Sequence, residues 1–163
     1  MSDIPEDEEV ARLFGRGTIH SVVDPFLRRY GRRYLPQDLP TKYAGGKFGV
    51  CYANSYRLAS EHAVTYVEGY AISTRTASPH LHAWCVDEKG LVLDPTWRSG
   101  TFYFGIPFRL EFLKKAIAER TERGDCYYGW LDDWRPGWPL INELGEQPEL
   151  WLEPSYFSRK FET

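Results

Sequence analysis

A chain of 163 residues with a formal charge of −3 has the length of a single domain able to bury a core without disulfides. Its odd number of cysteines, three, and an N-terminus "MSDIPEDEEV" with neither a basic start nor an apolar run argue against a secreted disulfide scaffold. No stretch approaches the roughly 18 apolar residues of a membrane helix, so the expectation is a soluble, cytoplasmic protein.

Five acids within the first nine residues leave 20 bases against 18 acids in the remainder. That balance predicts no strong affinity for nucleic acid or anionic lipid. Residues 1–12 read as a solvated, disordered acidic start. Asp24 before Pro25 marks a helix start, an N-cap acid with proline at the first helical position. From there "PFLRRYGRRY" continues as a short helix, weakened at Gly31 and ended by Pro36. On it Arg28, Arg29, Arg32 and Arg33 make like-charge i, i+4 pairs, which an isolated helix tolerates only when acids or a ligand offset them. Pairing with the acidic N-terminus is the first reading of this cluster, and an acidic or phosphate-bearing partner is the alternative. Pro36 to Gly49, with the pair Gly45 and Gly46, reads as a long surface loop.

The loop leads into "CYANSYRLASEH", where Cys51, Ser55, Leu58, Ala59 and His62 form one helical stripe and the helix begins at or next to the cysteine. "VTYVEGYAIS", "HLHAWCVD" and "LVLDPTW" read as three strands, the last two joined by the turn "EKG". "FRLEFLKKAIAERTER" is a second amphipathic helix with Gly124 placed to stop it. Five of the six tryptophans lie beyond residue 96, in a tail that reads as irregular and aromatic-rich, packed on the core or lining a groove. The layout is one domain over 1–163, with its core at 48–108 and the tail at 124–163.

The hairpin holds the chemical information. A three-residue loop pairs Asp87 with Leu91, so Trp84 faces Asp94 and His82 faces Thr96. His82 and Asp94 then share a face as diagonal neighbours. A register slip of one residue would separate them. Cys51 supplies a possible purpose, because a helix N-terminus favours the thiolate and the thiolate is the nucleophile. His82 would be the base, Asp94 the orienter that fixes its tautomer, and the Cys51 backbone N–H an oxyanion donor. Cys85 points to the opposite strand face and reads as core, Cys126 as a loop thiol, and Glu68 as a strand residue with a structural partner. His80, His82 and Cys85 make a poor zinc set, because Cys85 faces away and no fourth ligand is evident.

With Cys51, His82 and Asp94 in that order, and with "GVCYANS", "HAWCVD" and "LDPTW" at compact spacings, residues 48–97 resemble the transglutaminase-like branch of the papain-like cysteine enzymes. The resemblance implies an α+β fold in which the cysteine helix packs on a small antiparallel sheet. It implies Cys-His-Asp acyl chemistry on a protein or peptide-like amide through a thioester, as in a protease, amidase, deamidase or transglutaminase, with no cofactor and no metal. One departure stands out. Gly45 to Gly49 occupy the approach where many papain-like enzymes carry a glutamine donor, so Tyr43, Lys47 or a loop N–H is left for that role, and Asn54, Trp84 and Trp97 are further candidates at the oxyanion or substrate. The rival readings are a binding module of the same fold that does no chemistry, and an arylamine-type acyltransferase using the same three residues.

Overall fold

The computed structural model describes residues 7–125, 129–131 and 133–158. It is a mixed α+β structure built on a curled antiparallel sheet. In chain order the elements are α1 (Glu8–Gly15), α2 (Val23–Tyr30), β1 (Arg32–Tyr34), α3 (Cys51–Glu61), β2 (Thr65–Ser73), β3 (His80–Val86), β4 (Val92–Leu93), β5 (Gly100–Phe108) and α4 (Leu110–Glu122). A π-helical turn (Leu140–Leu144), α5 (Pro148–Trp151) and α6 (Ser155–Ser158) follow. The strand order is β1-β5-β2-β3-β4. The two edges then meet, because Val92 N donates to Leu35 O at 2.9 Å and Leu35 bridges Leu91. The sheet therefore closes on itself at one point.

Closure gives the sheet an inside and an outside, and strand alternation sorts the side chains between them. Tyr34, Val67, Trp84, Val86, Val92 and Tyr103 fill the inside. The larger core lies outside, where α2, α3, α4 and the C-terminal tail cover the other sheet face. Two glycines let β2 and β5 wrap tightly enough. A Cβ at Gly69 would lie 2.1 Å from Phe104 O, and one at Gly105 would lie 2.5 Å from Glu68 O and 2.7 Å from the Trp84 ring. The Trp84 indole occupies the space that a larger residue 105 would take.

Several expectations need correction. Part of the supposedly disordered acidic start is α1: Asp7 caps it by accepting from Glu9 N at 2.9 Å, and Leu13 and Phe14 are buried. Val10, Leu13 and Phe14 carry the i, i+3, i+4 spacing that marks this helix, and residues 1–6 lie outside the described residues. Asp24 is not an N-cap. It sits in the first turn of α2, and its carboxylate accepts from Ile19 N, His20 N and the Tyr70 hydroxyl at 2.8, 3.1 and 2.6 Å. The capping acceptor is His20 Nδ1, which receives the Val22 and Val23 N–H groups.

The helix also ends earlier than expected. Gly31 turns the chain to ψ 158°, where a Cβ would collide with Leu27 O at 2.5 Å, and 32–34 run as β1. The four arginines are thus divided between α2 and β1 instead of lying along one helix. Arg33 pairs with Asp7 and Glu9, Arg29 with Glu146, Arg28 lies over the Phe14 ring and Arg32 over the Tyr156 ring. Pairing with the acidic N-terminal segment therefore holds for Arg33.

The largest omission is β5, a nine-residue strand flanked by β2 along its length. Gly105 and Pro107 argue against a strand in the sequence. Pro107 is tolerated because β1 pairs only with residues 103–105, so the flank beside Pro107 carries no strand ladder. There the tail takes over, with Glu153 N donating to Pro107 O and Arg109 N to Trp151 O.

Candidate active site

Cys51 is the first residue of α3, half-buried, with Val50 in the N-cap position. The helix starts there because Gly49 adopts φ +85° and the preceding loop is pinned to the turn that follows β4: Gly46 N donates to Pro95 O at 2.6 Å. Asn54, one turn into α3, completes the brace. Its Nδ2 donates to Lys47 O at 2.8 Å and to Thr96 Oγ1 at 2.9 Å. Both amide hydrogens are therefore committed, which makes Asn54 a positioning residue and leaves it no donor for a substrate.

The hairpin has the expected register where it forms, with Cys85 opposite Leu93, Val86 opposite Val92, and Asp87 N bonded to Leu91 O. But β4 ends at Leu93, so the expected strand through "DPTW" and its pairing of Trp84 with Asp94 and His82 with Thr96 do not form. The Asp94 carboxylate instead turns the chain by accepting from Thr96 N and Trp97 N. His82 and Asp94 face each other diagonally at the mouth of the closed sheet. His82 Nε2 lies 2.9 Å from Asp94 Oδ2, and both side chains are buried. Asp94 is held as an acceptor on both oxygens. Oδ1 takes the N–H groups of Thr96 and Trp97 at 2.9 Å each, the turn that an Asp-Pro-Thr sequence forms, and Oδ2 also takes the Tyr103 hydroxyl at 2.8 Å. Burial and the nearby Asp94 charge push the Tyr103 phenol far up, which keeps its proton in place to donate.

Two rings fix the imidazole plane. Trp97 stacks on His82 with centroids 3.9 Å apart and an interplanar angle of 18°, and Trp84 lies stacked at 6.2 Å. Burial works against charge on His82. The hydrogen bonds and negative charge of Asp94 and Cys51 outweigh it and push the imidazole up to about 9. Cys51 is thus close enough to the ring to act on its charge, while Nε2 is the nitrogen committed to Asp94.

This shift fixes a sign for stability against pH. The folded state binds the proton more tightly than an unfolded histidine near 6.5, so the stabilisation is full below about pH 6.5 and is lost as pH rises through about 9. The urea midpoint followed by tryptophan fluorescence should therefore fall between pH 6.5 and 9, and His82→Gln should flatten that fall. An equal fall in the variant would assign the dependence to other groups.

The remaining sequence candidates separate clearly. Tyr43 packs edge-on against His62, just past the opposite end of α3. Lys47 uses its backbone carbonyl to hold Asn54. Trp84 is fully buried inside the sheet, whereas Trp97 is half-buried. His80 is exposed at the start of β3, with Nε2 3.3 Å from Ser78 Oγ. Cys85 faces the outer core and its thiol donates to Ser55 O, and Cys126 lies outside the described residues. Glu68 has the structural partners expected of it: it accepts from the Tyr66 hydroxyl and from Trp130 N and Leu131 N. Burial nonetheless pushes it up to about 7.

Tyr103 escaped the sequence reading because its strand did. Only the strand-favouring aromatic run Phe102, Tyr103 and Phe104 pointed to β structure there. Among the described residues no three His, Cys, Asp or Glu side chains are grouped as a metal would require, and no helix is long and apolar enough to cross a membrane. Comparison with known protein families, curated proteins and solved structures gives no match.

Proposed function

We propose that this chain is a thiol-dependent acyl hydrolase or transferase acting on amides, with a core of the papain-like, transglutaminase-like kind. The observation that supports it best is the buried His82, hydrogen-bonded through Nε2 to a fully satisfied Asp94 and neighboured by a cysteine that opens a helix.

In this reading the imidazole takes the Cys51 proton and Sγ attacks the amide carbonyl carbon. The developing oxyanion receives the Cys51 backbone N–H, one of the unpaired donors of the first helical turn. As the C–N bond breaks, the imidazolium returns the proton to the leaving amine and a thioester remains on Cys51. Water then gives a hydrolase, and an amine gives a transferase. In both cases His82 accepts the proton of the incoming nucleophile and the thiolate leaves. Asp94 holds the ring through both halves, and Trp97 keeps its plane.

The test is incubation of the full chain with a pool of N-acetylated, C-amidated peptides, followed by mass spectrometry of both protein and peptides. The expected result is an acyl adduct on Cys51, with peptide products that fall by about 10⁴-fold or more in Cys51→Ala, as when other nucleophiles are removed. Products that persist in a correctly folded Cys51→Ala protein would dismiss the reading.

A further inference from the structure

Beside the triad lies an open groove of about 330 Å³ lined by Gln37, Asp38, Trp97, Arg98 and Tyr103 among others. It shares two residues with the site: Trp97, which stacks on His82, and Tyr103, which bonds Asp94. Two features of its lining bear on what it could hold. Among the described residues Gln37 Nε2 is buried without a hydrogen-bond partner, a cost that a bound acceptor would remove. Arg98 is exposed and, like Arg28 and Arg57, forms no ion pair among the described residues, which leaves its charge open to a ligand. Lys47, on the loop before the cysteine, and Arg75, on the loop after β2, also have no acidic partner among the described residues. Lys47 is tied to Asn54 through its carbonyl, and the loop carrying Arg75 is joined to Ser99 by the Thr74 N–H.

The geometry points to this groove as a subsite for a carboxylate, taken by Arg98 and the Gln37 amide, so that the substrate carries an acidic residue near the amide that Cys51 attacks. The inference rests on the thiol reading for the word substrate, and on the groove alone for binding. A guanidinium and an amide N–H together suit a carboxylate, the first through charge-assisted bonds and the second through a neutral one. Asp38 is the opposing charge in the same lining, and it makes the proposal testable in both directions. A groove built for an anion should work better without it, and one built for a cation should work worse.

The experiment uses the full-length Cys51→Ala chain and fluorescein-labelled, C-amidated octapeptide pools that differ only in carrying Glu, Gln or Lys, read by fluorescence anisotropy. The Glu pool should bind more tightly than the Gln pool. Arg98→Gln should weaken it by about tenfold, the size of a lost charge-assisted hydrogen bond, and Asp38→Asn should tighten it. Salt should weaken the Glu pool selectively. Equal binding of Glu and Gln pools, preference for the Lys pool, or indifference to Arg98→Gln would overturn the subsite. A Cys51 that alkylates in a His82-dependent way beside a groove indifferent to Glu defeats the subsite and leaves the thiol chemistry standing. An inert Cys51 beside a Glu-selective groove supports the carboxylate site and removes the catalytic reading instead.

Discussion

Replacing His82 with alanine is expected to slow alkylation of Cys51 by iodoacetamide about 100-fold near neutral pH, the lower end of what a positioned base contributes. The reacting species is the thiolate, and the His82 imidazole, whose affinity for a proton Cys51 helps to raise, is the group that would hold the thiol proton. Cys85 is the internal control. Its thiol is fully buried and pushed far up by burial, so it should remain unreactive in both proteins. Alanine leaves the Asp94 carboxylate without its His82 partner and removes the ring beneath Trp97, so His82→Gln, which keeps volume and a donor, is the companion variant. Near-UV circular dichroism establishes that each is folded. The same alkylation rate at Cys51 in a folded His82→Gln protein would break the link between the two residues, and the binding-module reading would take its place.

The second large effect concerns stability. Trp151→Ala should cost about 3–5 kcal/mol, the range for truncating a buried large aromatic. Trp151 is fully buried against Phe26, Tyr30 and Phe108, with ring centroids 5.0 to 5.9 Å away, and its Nε1 donates to Leu144 O at 2.9 Å. It therefore joins α2, β5 and the π-helical turn. Urea unfolding measures the loss, and His82-dependent alkylation of Cys51 should survive in the folded fraction, since the ring and hydrogen-bond partners of Trp151 are Phe26, Tyr30, Phe108 and Leu144 and not the residues of the candidate site. A loss below about 1 kcal/mol, the level of a surface substitution, would mean that the tail only decorates the core.

Both predictions depend on how the molecule joins segments far apart in sequence, and the two differ in how much of that could be read in advance. The meeting of His82 with Asp94 and the helix start at Cys51 were legible. A three-residue turn sets a hairpin register, and the period of two in a strand then decides that His82 and Asp94 share a face. A cysteine following Gly49 at the start of a helical stripe is a local signal as well. The place of Trp151 was not legible, because nothing near residue 151 records that α2 and β5 wait to cover it.

The same division runs through the fold. Local chemistry in the sequence determined the start of α3, the β3 to β4 register, the extent of α4 and the opposite facing of Cys85, since each depends on backbone preferences and side-chain periods within a few residues. Tertiary structure alone decided that the sheet closes through Leu35 and Leu91, that a strand containing Gly105 and Pro107 lies second in it, and that Tyr103 is thereby delivered to Asp94. It also decided that Trp97 covers His82 and that Asn54 spends its amide on the approach loop. These are contacts between segments separated by many residues, and they are chosen by which buried surfaces and unpaired backbone groups fit together. No sequence period carries that information.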